Sequence, residues 1–407
     1  MKLRFTVLSL VAALAVVALV TGAALAQDLS YDTPQGRVIV PSSSIERPGD
    51  IGLRAHTNFV YMANADSSVP PPAAETPGSL ACIYHLVAPT TGCPIATAKT
   101  LPNKGAKVIA LVDAYDNPDA TKDLSTFSAQ FGLPTANFQQ VYATGKQPAN
   151  NPGGWSLEEA LDIEMAHASA PNAEIILVEA ATNSFADLYF AEQVAANLVA
   201  AAGGGEVSNS WSGGEYSTEL ADETTYFTTP GVVYFASTGD SGLGAIGVPA
   251  VFASVVAAGG TSVKRTGGNF TTEWWWTGGG GGTSFYEPLP NYQKGRSGIT
   301  GSKREIPDIS SDADPNTGPA MYDLDGGYLW LQIGGTSVSS PYLAGVINGG
   351  GHFKTSSKAE LSSLYNEYSN ATMYKKLFRD VTLGGTSCKT GWDICTGIGS
   401  PIGYGGK

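Results

Sequence analysis

Charge is what this sequence has least of: only 14% of its residues are Asp, Glu, Lys or Arg, against roughly 25% in an average soluble protein. Basic residues are the scarcer sign, with 23 Lys and Arg against 36 Asp and Glu and a net charge of −13. Such a surface repels a phosphate backbone, so no nucleic-acid partner is expected. Histidine is scarce too. His56, His85, His167 and His352 are all there are, which leaves few candidates for an imidazole base. Cysteine numbers four, too few for a disulfide-built scaffold and without the repeated CxxC spacing of a zinc finger. Past residue 26 no apolar run is long enough to span a bilayer. Disorder is excluded by what is abundant, a hydrophobic content of 43% with 10% aromatics.

What is present begins with a targeting pattern. Lys2 and Arg4 precede an apolar run at residues 5–20, and small residues follow, ending Ala24-Leu25-Ala26. This is the layout of a cleaved secretory signal over residues 1–26. The expected product is secreted, extracellular and free of the membrane once the signal is removed. Export permits disulfides, and of three possible connectivities the sequence-local one is favoured, Cys82 with Cys93 and Cys388 with Cys395. Residues 27–75 are polar and Pro-rich with little periodicity, and they read as an extended lead-in too poor in regular structure to fold alone.

From residue 107 onward short apolar runs alternate with helical patterns. The runs are VIALV (108–112), EIILVEA (174–180), VVYFA (232–236), SVVAA (254–258) and YLWLQI (328–333). Uniformly apolar strands separated by helices predict an α/β fold with a mainly parallel central sheet and helices on both faces. One helix is expected to start after Ser184, with Asp187 three residues on, and to stop at glycines 203–205. Another is expected from Ser156, with Glu159 in the capping-box position. The segment WWWTGGGGG at 274–282 reads either as a flexible loop or as a wall against which a ligand backbone lies close, since only Gly leaves that room.

Within the Ser156 helix, Glu158 and Asp162 are four residues apart and therefore share a face. Acids near a helix start also suit the macrodipole, so the spacing alone does not decide for chemistry. In YLWLQIGGTSVSSP a strand is followed by a sharp Gly-Gly turn and a helix opening near Ser339, which would present the Ser337 hydroxyl where free amides favour developing negative charge. A serine nucleophile needs a base. None of the four histidines has a suitable setting, which makes the Glu158/Asp162 pair the candidate.

These motifs together resemble the sedolisin family of serine-carboxyl peptidases. GGTSVSSP at 334–341 is similar to its SGTSxSxP signature, and EEALDIEMAHASAP at 158–171 to its ExxLD helix. FASTGDSG at 235–242 resembles the segment carrying the family's oxyanion aspartate, and NSWSGGE at 209–215 its substrate strand, with Ser212 in place of the usual Gly. The resemblance implies a subtilisin-like fold with a peptidase domain at 76–407; the family usually carries a large N-terminal prosegment, and here the expectation departs from it, with only the lead-in at 27–75 and no full-size prosegment. It implies a catalytic set of Glu158, Asp162, Asp240 and Ser337 acting on protein or peptide substrates. Low pH fits that set, because an imidazole would be protonated there while a carboxylate still ionises in part.

The resemblance also implies one structural calcium ion (Ca2+) near the C-terminus, at DVTLG and GWDICTGIGSP, held by the carboxylates of Asp380 and Asp393 and the main-chain oxygens of Val381, Lys389 and Gly391. A second loop, Asp312, Asp314 and Asn316, has EF-hand-like spacing but carries Thr317 where that loop needs Gly. Rival readings are a His-dependent peptidase with Asp113 as triad acid, a metal site using Glu164 and His167, and a secreted peptide-binding protein with an inactive peptidase fold. A monomer is expected.

Overall fold

The computed structural model describes residues 28–62, 64 and 66–405; the expected signal peptide lies outside the described residues. The lead-in carries more regular structure than its sequence suggests. Strands β1 (Leu29–Thr33) and β2 (Gly36–Val40) form an antiparallel hairpin, and β3 (His56–Thr57) and β4 (Val60–Met62) follow. Runs this short set no period of their own, and β3 and β4 find partners far along the chain, in the strands Trp211–Gly214 and Leu329–Gly334.

The body begins with helix α1 (Pro77–Ile83), β5 (Val108–Ala114), α2 (Ala120–Phe131), β6 (Asn137–Tyr142), α3 (Trp155–Ser169), β7 (Glu174–Ala180) and α4 (Phe185–Ala201). It continues through β8 (Gly205–Asn209), β9 (Trp211–Gly214), α5 (Glu219–Tyr226), β10 (Val232–Ser237), β11 (Gly247–Val248), β12 (Val255–Thr266) and β13 (Asn269–Trp275). After β14 (Gly282–Pro288), β15 (Lys303–Ile306), β16 (Ile309–Asp312), β17 (Ala320–Asp323) and β18 (Leu329–Gly334) come α6 (Thr336–Gly350) and α7 (Ser357–Ser369).

The central sheet runs β13-β12-β10-β8-β5-β7-β6, with β16 also on β12, and every pairing except β12 with β13 is parallel. Because side chains alternate across a strand, β5 feeds two cores. Val108, Ala110 and Val112 pack with Leu188, Ala191 and Ala195 of α4, while Ile109 and Leu111 pack with Ile163 of α3 and Leu343 and Ile347 of α6. The expected α/β architecture with helices on both faces is therefore present.

One apolar run departs from that reading. YLWLQI forms β18, which lies in a separate antiparallel sheet ordered β1-β2-β4-β18-β17. The lead-in strand β4 pairs directly with β18, Tyr61 opposite Ile333. Helix starts differ as well. Ser184 caps α4 as expected, its Oγ accepting from the Asp187 N–H at 3.2 Å. Helix α3 starts at Trp155 after Gly154 without a side-chain cap, so the expected capping box at Ser156 does not form. Glu159 is instead fully buried. Both local disulfides are present, each with Cα atoms 5.5 Å apart. Among the described residues no helix is long and apolar enough to cross a membrane.

Candidate active site

The site lies at the carboxyl ends of β5, β8 and β10, where α3 and α6 pack on the sheet. Gly335 makes the entry to α6 possible: its φ of 107° belongs to glycine, and a Cβ there would stand 2.2 Å from the Asn58 carbonyl oxygen. The helix opens at Thr336, three residues before the expected start, which puts Ser337 within its first turn. Pro341 lies four residues on and has no N–H to give the Ser337 carbonyl; the Ser210 hydroxyl donates to that carbonyl at 3.4 Å instead. The Ser337 Oγ in turn donates to the Ser210 carbonyl at 3.1 Å.

Glu158 and Asp162 project from α3 toward this turn. All fifteen residues of the helix are buried, acids included. Burial drives the Glu158 carboxyl well above its ordinary range, and the charge of Asp113 adds to the rise. The Ser337 hydroxyl beside it and the Asn58 N–H, which donates to Oε2 at 3.2 Å, oppose it. The Asp162 carboxyl is pushed up by burial and then by the charges of Asp113 and Glu158. Asp113, at the end of β5, rises to about 8 through burial, with neither carboxyl oxygen bonded. It belongs to this carboxyl group rather than to a helix cap, since the residue before α2 is Asp119. Glu159 extends the cluster toward Glu179 and Asp116.

Asp240 reaches the same turn from the loop after β10. Its Oδ1 accepts from the Thr336 N–H at 2.8 Å and the Thr336 hydroxyl at 2.9 Å, while Oδ2 is buried without a partner. Burial raises its pKa to about 7 against those two bonds. It opens onto a cavity of about 400 Å³ that Tyr31, His56, Asn58 and Trp276 also line. All four expected side chains thus converge on one turn.

Two features went unseen in the sequence. Ser337 is not presented to solvent but has no exposed surface, because residues 56–60 lie across it. No local signal marks that crossing, which depends on partners more than a hundred residues away. The glycines of WWWTGGGGG admit the chain's own backbone, with a Cβ at Gly280 falling 2.2 Å from the Thr238 oxygen and one at Gly281 falling 1.9 Å from the Ile394 oxygen.

The rival groups are engaged elsewhere. His56 bonds the Thr57 carbonyl through Nδ1 at 3.0 Å, and its Nε2 stands 3.5 Å from the Ser212 hydroxyl. His167 bonds the Pro134 carbonyl at 2.9 Å, and Glu164 accepts from the Tyr322 N–H at 3.1 Å, so these two do not converge on a metal. The Asp312 loop closes on itself through Thr317 and Asn316.

Near the C-terminus the expected calcium residues do come together. Asp380 accepts from the Gly391 N–H at 3.0 Å, and Asp393 accepts from the N–H groups of Lys389, Cys395 and Thr396. Burial pushes Asp393 up to about 6, and the charge of Asp380 adds to the rise. Among the described residues no group of three or more His, Cys, Asp or Glu is gathered for a metal. A cation here would draw on main-chain oxygens beside the two acids, a hard-oxygen set that fits calcium in kind.

No family model matches the chain. Kumamolisin from Bacillus sp. (strain MN-32) is 31% identical over 444 residues, covering 92% of this chain and 73% of that protein. Sedolisin from Pseudomonas sp. (strain 101) is 27% identical over 360 residues, 77% of this chain and 59% of that protein. Among solved structures, Pseudomonas sedolisin complexed with two molecules of pseudo-iodotyrostatin superposes with a TM-score of 0.65 at 24% identity, covering 81% of this chain and 95% of that one. Sphericase superposes with a TM-score of 0.53 at 18% identity, over 79% and 96%. Both superpositions carry the subtilisin-like fold. The extent of the kumamolisin match, reinforced by a serine turn that collects carboxyls rather than an imidazole, makes this chain a serine-type peptidase and a member of the sedolisin family of serine-carboxyl peptidases.

Proposed function

We propose that the chain is an exported peptidase that cuts protein or peptide substrates at acid pH, with Ser337 as nucleophile. Glu158 takes the Ser337 proton, Asp162 orients and shares protons with Glu158, and protonated Asp240 donates to the oxygen of the tetrahedral intermediate. The observation that carries this reading is the company Ser337 keeps: its hydroxyl opposes the burial-driven rise of Glu158, and Asp162 feels the Glu158 charge.

Carboxyls this close do not all ionise together, so they titrate as a group. The partly ionised group keeps one basic oxygen for the serine proton. As Ser337 Oγ attacks the substrate carbonyl, its proton passes to Glu158 and negative charge grows on the carbonyl oxygen. In this reading the Ser337 N–H, which donates to the Asn58 carbonyl at 3.1 Å, and the protonated Asp240 carboxyl meet that charge. Collapse expels the amine with the proton from Glu158, and water then hydrolyses the ester by the same route in reverse. An ionised Asp240 would repel the oxyanion, which ties activity to low pH.

The same proposal has residues 1–26 removed on export, a monomer as the working form, residues 76–407 as the peptidase domain, and one calcium ion at Asp380 and Asp393 acting on stability. The test is peptide hydrolysis followed from about pH 4, in the ordinary carboxylate range, up through the raised value of Asp240 at about 7. Ser337→Ala should abolish turnover, and Glu158→Gln or Asp162→Asn should each cost several powers of ten. Near-normal activity in a folded Glu158→Gln protein would remove the carboxylate base from the mechanism.

A further inference from the structure

The cleft is filled by the chain itself. Strand β3 pairs antiparallel with β9, His56 opposite Ser212 and Thr57 opposite Trp211. The next residue, Asn58, turns its carbonyl oxygen onto the Ser337 N–H at 3.1 Å. A Cβ on Gly335 would meet that oxygen at 2.2 Å, the Phe59 Cα at 2.5 Å and the Asp240 Oδ2 at 2.6 Å. The Asn58–Phe59 peptide therefore lies on the serine turn, with the Ser337 N–H on its carbonyl and the Asp240 Oδ2 on the same side of Gly335. A peptide that adds a strand to an exposed edge and leaves one carbonyl at such a donor is placed as a substrate is.

The Asn58 side chain points into a polar socket and is 1% exposed. Its Nδ2 donates to the Ser237 Oγ at 2.6 Å, and its Oδ1 accepts from the Ser212 Oγ at 2.9 Å. Ser237 passes its own proton toward the Asn209 carbonyl at 3.5 Å. Hydroxyls both donate and accept, so two of them facing a carboxamide satisfy its two ends together. Ser212 is the residue standing where the family's substrate strand usually has Gly, which makes this socket a feature of this chain.

We infer that the cleft reads an asparagine side chain on the residue whose carbonyl is attacked, with Ser212 and Ser237 as the reading pair, and that the Asn58–Phe59 peptide is held as the chain's own first substrate. The inference rests on the peptidase reading and names the substrate class of that site. In the self-cleavage, Ser337 Oγ bonds to the Asn58 carbonyl carbon and gives its proton to Glu158. The C–N bond to Phe59 breaks, and the Phe59 nitrogen leaves with that proton as an amine. One water then hydrolyses the Asn58 ester, freeing Ser337 and leaving a carboxyl on Asn58. A leucine in the socket would cost Ser212 and Ser237 their short hydrogen bonds and leave them only long contacts at 3.5 Å, and sites built around a hydrogen bond reject analogues that lack it.

The test has two arms. In the first, full-length chain is shifted to about pH 4 and followed by intact mass and amino-terminal sequencing. A new terminus at Phe59 is expected in the wild type and not in Ser337→Ala. In the second, the same sample digests peptides differing only in Asn, Asp or Leu before the cut. Asn should be preferred by roughly tenfold or more, and Ser212→Gly should shrink that ratio by about the same factor. A ratio measured within one protein does not depend on how much of the variant is folded. Hydrolysis without Asn preference, or an Asn58–Phe59 bond left intact in an actively hydrolysing sample, overturns the inference and leaves the peptidase reading standing. A wild type silent in both arms overturns both.

Discussion

Buried carboxyls should make this protein lose stability as pH rises, and Asp113→Asn isolates one of them. Asp113 has no exposed surface, no hydrogen-bond partner and a pKa raised to about 8. Its unfolded value is about 3.9. A carboxyl raised on folding binds its proton more tightly in the native state, so its contribution is fully present below about pH 4 and is lost as pH climbs through about 8. Within that window each pH unit removes about 1.4 kcal/mol per such group, or roughly 4 kcal/mol between pH 4 and pH 7. That is a large share of the roughly 5–15 kcal/mol by which typical domains are stable. The assay is urea unfolding across that pH range on a Ser337→Ala background, which prevents self-digestion. Asp113→Asn removes one titrating proton and should lower the slope of unfolding free energy against pH by up to about 1.4 kcal/mol per unit, somewhat less because Glu158 and Asp162 share the load. A background protein equally stable at both ends of the range, or an unchanged slope in the variant, would refute the reasoning.

Three other outcomes are expected. Peptide hydrolysis should fall as pH rises through about 7, where Asp240 loses the proton it donates; a rate profile still climbing at pH 8 would contradict that role. Asp240→Asn keeps a donor and should be the milder change, whereas Asp240→Ala should cost roughly 2.7–4 kcal/mol in transition-state stabilisation, read from kcat/KM. Calcium should raise the melting temperature and a chelator lower it, because a ligand bound only by the folded state shifts unfolding by mass action; Asp393→Ala should abolish that response, and a melting curve indifferent to both treatments would count against the site.

Legibility in the sequence followed distance along the chain. Glu158 and Asp162 could be paired because one turn of helix separates them, and the Ser337 turn because its glycines and small residues are contiguous. The five apolar runs were visible as strands, yet YLWLQI could not be told from its parallel counterparts, since a buried run looks the same whichever way its neighbours point. Asp113 enters the sequence reading only as the triad acid of the rival His-dependent peptidase; the fold brings it to Glu158 instead. Asn58 was the least legible of all. Its role depends on Ser212, Ser237, Asp240 and Ser337, each more than a hundred residues away, and nothing in a polar, Pro-rich segment announces which of its carbonyls will meet a serine.

The pairing of β4 with β18 also sets an order of events in folding. Tyr61 and Ile333 are direct neighbours in a sheet, so the β1-β2-β4 edge, paired within itself, keeps its outer side open until β18 has been made. Closing so long a loop before any reward is collected is slow, and topologies rich in distant contacts fold slowly as a class. The half-made chain would carry exposed strand edges through that interval, when association with other chains is the main hazard. Once β18 closes the sheet, the same long-range connection ties the beginning of the described chain to the serine turn, which follows β18 directly in the sequence.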